Sequence, residues 1–207
     1  MEKPNIIRRM YDWVLHWANT KYALPALFIL AFAESSFFPV PPDVLLIAMA
    51  VSVPSKAFRY AFVCTTGSVL GGMFGYLIGY ELWYSSSGDF SGFANVFFNY
   101  IPGFTEELFF KVSKMYEDNA FLAVFTAGFT PIPYKVFTIT GGVCKINFLT
   151  FILASSVSRA LRFFLVAAII YKFGAPIKSW IEKYFNLVAV AFTVLLIAGF
   201  IAIKYLM

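Results

Sequence analysis

Apolar positions dominate this chain in runs of unequal length. Residues 60–84, 147–173 and 187–203 are long enough to cross a bilayer as helices. Residues 23–38 and 43–53 are not, because a span needs roughly 20 residues. Between these two short runs stand Pro39, Pro41 and Pro42, and the second run stops at Pro54. Proline removes a backbone donor and frees carbonyls, and such backbone survives at membrane depth only where protein or water satisfies it. The pattern predicts a re-entrant hairpin of two half-helices, wrapped by other helices, with its tip in a polar cavity. The same pattern returns at 121–133 and 134–143, broken at Pro131 and Pro133.

Outside these runs the periodicity changes. Residues 4–20 carry Ile6, Ile7, Met10, Trp13, Val14 and Trp17 at helical spacing, with Arg8, Arg9 and Asp12 between, which predicts an interfacial amphipathic helix. Residues 85–119 are the most polar stretch and predict a loop followed by a second amphipathic helix, with Thr105, Glu106 and Glu107 as its start. The span at 60–84 holds Gly67, Gly71, Gly75 and Gly79 at four-residue spacing, a packing face for the hairpin or for a partner subunit.

The two halves repeat. Setting Pro39-Val40-Pro41 over Pro131-Ile132-Pro133, an offset of 92, places Val44 on Val136, Val51 on Val143 and Asp43 on Lys135. Residues 23–84 are then repeat 1 and 120–173 repeat 2, with 1–22, 85–119 and 187–206 outside them, all in one membrane domain. A re-entrant hairpin returns to the side it entered, and one crossing follows each, so the hairpins enter from opposite faces. The expectation is an all-α integral membrane protein with an inverted-topology repeat, two opposed hairpins, about three full transmembrane helices and interfacial helices. Lys3, Arg8, Arg9, Lys21, Lys56, Arg59, Lys172, Lys178 and Lys183 fall on one side, against Lys111, Lys114, Lys145 and Lys204 on the other. That bias puts the N-terminus inside.

Composition agrees: 60% of residues are hydrophobic and 13% charged, and the mean hydropathy is +0.77. The net charge of +5 is spread over loops that flank apolar spans, so it does not predict nucleic-acid binding. His16, Cys64 and Cys144 make no metal site and no disulfide framework, and the first 22 residues do not resemble a cleavable signal. Ser35, Ser36 and Ser155 have no His nearby, and no glycine-rich phosphate loop follows a strand, so neither an enzyme nor a cofactor is expected.

Glu34, Asp43, Lys135, Arg159 and Arg162 are ionisable groups at membrane depth. Each costs about 2.5–3.5 kcal/mol at a helix centre, so each should face a partner or water. They admit two readings. In one, Asp43 pairs with Lys135 and Glu34 with an arginine, as struts. In the other, the acids exchange protons while Lys135, Arg159 and Arg162 hold a phosphate head group, the arginines sharing one helical face unless they snorkel to a boundary.

An acid, a proline-rich break, an acid opening an apolar run, a glycine-spaced helix and then FTPIPYKVFTITGG resemble the DedA family of VTT-domain membrane proteins, and its YqaA-type subgroup most. The resemblance covers residues 23–173 and implies opposed hairpins that move lipids across a bacterial inner membrane, with Glu34 and Asp43 as the functional acids. The family's second hairpin usually carries two arginines. Here Gly128 or its neighbour stands at the first position and Tyr134 at the second, with Lys135 next to it, so polyprenyl phosphate specificity is open. The resulting expectation is a multi-pass flippase or scramblase of phosphate-headed lipids, with membrane lipids and protons or small cations as partners. A small-ion or proton antiporter and a membrane scaffold are the alternatives, and the glycine face admits a homodimer.

Overall fold

Prolines set the first helix ends. The structure, a computed structural model, describes residues 20–38, 40–85, 88–101, 104–130 and 132–183. Helix α1 (Ala23–Ser36) stops where its next amides would come from residues 39, 41 and 42, all prolines. Helix α2 (Asp43–Ser52) starts behind Pro42, with the Asp43 carboxylate in its first turn, where the helix dipole favours an anion. It ends before Pro54, and a 3₁₀ turn (Pro54–Lys56) leads into the long helix α3 (Ala57–Leu82).

The polar middle contains more helix than its sequence predicts. Ser91 caps a short helix α4 (Gly92–Tyr100), its hydroxyl accepting from the Ala94 amide at 3.1 Å. Thr105 caps α5 (Glu106–Phe129) in the predicted place, accepting from the Leu108 amide at 3.2 Å. The amphipathic helix and the first arm of the second hairpin, expected as separate elements, are joined in α5. The boundary survives as a kink at Asn119 (φ −161°, ψ 98°), whose side chain restarts the helix by accepting from the Leu122 amide at 3.0 Å. Helix α6 (Tyr134–Val143) is the second arm, and α7 (Phe148–Lys183) is the second long helix, bent at Gly174 (φ +28°). A buried Trp83 gathers Phe97, Phe98, Phe104 and Phe109 around its ring and ties α4 and the start of α5 to the end of α3.

The described residues are helical with no strand, and two helices, Pro54–Leu82 and Phe148–Gly174, are long and apolar enough to cross a membrane. The interfacial helix predicted at 4–20 and the last span at 187–203 lie outside the described residues. Adding 92 to the bounds of α2 gives 135–144, and α6 runs over 134–143. The same shift carries Pro54–Leu82 onto 146–174, against Phe148–Gly174.

Packing pairs these parts in a crossed way. Helices α3 and α7 lie against each other; α1 packs on α3 and α5 on α7, so each first arm stays with its own long helix. The second arms are exchanged: α6 packs on α3, and α2 packs chiefly on α7. The two arms of the first hairpin barely touch each other.

The glycine face is used inside the chain. Four-residue steps on a helix of 3.6 residues per turn advance about 40° each, so the stripe winds around α3. A Cβ on Gly67 or Gly71 would meet the carbonyls of Phe28 or Phe32 in α1, whereas one on Gly79 would meet that of Ile139 in α6. Gly75 lies between, against Thr138 and the Ser35 carbonyl, and Gly142 of α6 approaches the Tyr76 carbonyl in return. On the outside of α7, Leu149, Leu153, Val157, Leu161, Leu165 and Ile169 form an exposed apolar stripe at four-residue steps.

Gly71→Ala is expected to lower stability by about 1–3 kcal/mol, since backbone must move to admit the methyl group. Gly92→Ala, where a Cβ meets open space, should stay within about 0.5 kcal/mol. Thermal melts of the two variants in detergent check the contrast.

Candidate functional site

The breaks leave carbonyls that the chain must satisfy from elsewhere. The Ser35 carbonyl would take its helical hydrogen from residue 39, a proline, and instead lies 3.0 Å from the Thr138 hydroxyl of α6. That hydroxyl also lies 2.9 Å from the Lys135 carbonyl, so one proton serves two acceptors. The Phe129 carbonyl loses its donor to Pro133, and the neighbouring Thr130 carbonyl accepts from Arg162 Nη1 at 2.9 Å. Each first arm is therefore finished by a side chain of another element.

Arg162 joins both breaks. Its Nε and Nη2 each lie 3.1 Å from Asp43 Oδ1, at the start of α2, while Nη1 reaches the end of α5. A cation thus sits between a helix C-terminus and a carboxylate at a helix N-terminus, the arrangement that both dipoles favour. Arg159, one turn earlier on the same face of α7, does the parallel job for α1. Its Nη2 bonds Glu34 Oε2 at 2.8 Å, and its Nε donates to Ser68 Oγ at 2.6 Å. The Ser68 hydroxyl lies 2.7 Å from that of Ser35, which donates to Glu34 at 3.2 Å. Arg159 is 2% exposed, so it does not snorkel to a boundary.

Aromatic rings enclose this arginine. Its guanidinium carbon lies 4.8 Å from the Tyr134 ring centre and 4.7 Å from that of Phe163. Tyr134 is held in place by donating to Ser155 Oγ at 2.6 Å. Gly128 makes the room: a Cβ there would strike Ser158 and come up against the Arg159 side chain. The two positions of the second hairpin that hold glycine and tyrosine thus border a guanidinium supplied by α7.

Lys135 behaves differently. It is only 5% exposed, yet no hydrogen bond or ion pair engages its ammonium among the described residues. The pairing of Lys135 with Asp43 is therefore corrected: Asp43 takes Arg162, because that arginine reaches it from α7, on which α2 packs. The pairing of Glu34 with an arginine holds, through Arg159. The cluster contains two acids and three cations, so two neutral pairs leave one positive charge, on Lys135, beside Glu34.

All five ionisable residues singled out in the sequence come together. Ser35, Ser68, Tyr134, Thr138 and Ser155 complete the network and were not assigned to it. Ser68 carried a readable signal, a hydroxyl beside a packing glycine inside an apolar span.

Over 201 residues the chain is 34% identical to an uncharacterized protein of Haemophilus influenzae, in an alignment that takes in 96% of this chain and 98% of the relative. The chain belongs to the family of that protein. A second member, an uncharacterized protein of Histophilus somni, is 34% identical over 186 residues, covering 86% of this chain and 90% of its own. No family model matches the chain, and no solved structure matches it. With 96% of the chain aligned to the first relative, both hairpins and both long helices lie inside the region the family shares.

Arg162→Gln is expected to cost about 3 kcal/mol, since it strands Asp43 and the Thr130 carbonyl. Pairing it with Asp43→Asn should recover about 1 kcal/mol of that loss. A double-mutant cycle on denaturant unfolding in micelles reads the difference; strict additivity would mean that the pair is not coupled.

Proposed function

We propose that this protein is a multi-pass bacterial membrane protein that carries phosphate-headed lipids between leaflets, as a flippase or scramblase. The observation that carries the reading is Lys135: a 5% exposed lysine whose ammonium has no partner among the described residues, next to two ion pairs that are each already neutral. A buried charge without a counter-ion is costly, and an anionic head group would supply one. A phosphate there would have Lys135 as a point charge and Arg159 as a planar fork within the same cluster. Protonation of Glu34 would free Arg159 from its carboxylate and turn its donors toward the lipid, which is how a proton gradient would drive the cycle.

The architecture supports the same reading. Two proline-broken hairpins with matching element bounds and exchanged second arms are what an inverted-topology repeat produces, with the breaks meeting at the bilayer midplane. The exposed apolar stripe on α7 suits lipid, since soluble proteins rarely leave so long an apolar surface uncovered. The DedA resemblance of the hairpin motifs points the same way, and the relatives are bacterial. The scaffold reading is favoured by one observation, that both acids are fully engaged by arginines. It leaves Lys135 unexplained.

The test is lipid movement in proteoliposomes, read by dithionite quenching of head-labelled phospholipid and polyprenyl phosphate probes. Wild type should move at least one probe, and Lys135→Ala should slow it about tenfold or more with its melting temperature kept. Lys135→Arg should retain part of the rate. Glu34→Gln should remove the response to an imposed pH gradient. If no probe moves under any gradient while the variants remain folded, the charges are struts and the scaffold reading replaces this one.

A further inference from the structure

The base of the first hairpin carries a second charged site, at the opposite end of α1 and α2 from the break. Where α1 begins, α2 ends and α3 begins, a cavity of about 210 Å³ opens. Its polar wall holds Lys21, Lys56, Arg59, Ser52 and Tyr60, and no carboxylate lines it. Both ion pairs among the described residues are made elsewhere, by Arg159 and Arg162, so these three cations have no acid of their own among the described residues. The floor is apolar, formed by Leu24, Met49 and Val53.

Exposed aromatic side chains mark the same end of the bundle. Tyr22 precedes α1 and stands beside Lys21, and Phe58 at the start of α3 packs against Tyr171 of α7 with ring centres 5.3 Å apart. Aromatic side chains at this level are the usual sign of a membrane–water boundary. Lysines and arginines gathered there match an anionic leaflet.

We infer that this cavity binds the head group of an anionic phospholipid, with the phosphodiester among Lys21, Lys56 and Arg59. At about 30 Å³ per water, the volume suits a phosphodiester with its glycerol and leaves the acyl chains outside. The apolar floor favours a lipid over free phosphate, since an inorganic anion gains nothing from Leu24 or Met49. A lipid seated there ties the starts of α1 and α3 to the end of α2, bridging two arms that barely contact each other. The inference rests on the membrane embedding proposed above and not on lipid transport.

The experiment uses the full chain in a neutral detergent, with phosphatidylglycerol or phosphatidylcholine added, and reads retained lipid by native mass spectrometry beside the shift in melting temperature. Wild type should retain phosphatidylglycerol about tenfold better than phosphatidylcholine. Lys56→Gln should weaken that retention about fivefold, the figure for one cation near an anionic head group, and adding Arg59→Gln should abolish the preference. Lys56→Arg with Arg59→Lys, which keeps both charges, should preserve it, so a loss in the glutamine variants cannot be put down to misfolding. Equal retention of both lipids by wild type, or unchanged preference in the glutamine variants, would overturn the inference. So would displacement of the lipid by inorganic phosphate and not by chloride at the same ionic strength, which would make the site one for free anions. Retained preference in a protein that moves no lipid in proteoliposomes would leave this site standing and remove the transport reading alone.

Discussion

Two arginines, three residues apart on one helix, hold together what four half-helices leave open. Each break in the chain exposes carbonyls, and the first also presents two carboxylates, in surroundings largely closed to solvent. An unpaired buried polar group costs about 1–3 kcal/mol and a charge more, so neither hairpin could stand without donors from outside itself. Arg159 and Arg162 supply them from α7, one to Glu34 and Ser68, the other to Asp43 and the end of α5. Both ends of the first hairpin's break are thereby fastened to the long helix of the second half.

The exchange of second arms follows the same logic in packing. The arms of the first hairpin have almost no interface with each other, so each takes its burial from a long helix: α1 from α3, α2 from α7. Close approach on α3 depends on glycines, because carbonyls of α1 and α6 occupy the space that side chains would fill. The four-residue spacing winds the small-residue face from one hairpin to the other, letting one helix receive an arm from each half. In the proposed membrane setting hydrocarbon would offer no hydrophobic drive between helices, so such contact would have to come from close packing and polar bonds.

Against this background Lys135 is the exception. Every other charge in the cluster has an opposite charge within hydrogen-bond distance, and Ser35 and Ser68 close a ring of bonds with Glu34 and Arg159. The unmatched ammonium at the start of α6 is the place where an anion would change the balance of charge.

Much of this was legible in the chain itself. Run lengths and prolines placed α1, α2 and α6, because a missing amide ends a helix wherever it occurs. The Thr105 cap and the change of character at Asn119 located the two ends of the amphipathic half of α5. The helix at Gly92–Tyr100 was missed because its stability comes from burying Phe97 against Trp83, which sequence spacing does not reveal. All five charges of the cluster were identified, since a charge within an apolar run stands out by type and position alone. Their pairing was decided only by tertiary structure. Asp43 aligns with Lys135 in the repeat, yet the arms are exchanged, and the exchange hands Asp43 to Arg162 and leaves Lys135 beside a Glu34 already taken. Sequence determines which groups must find partners; the packing of α2 on α7 and of α6 on α3 determines which partners come within reach.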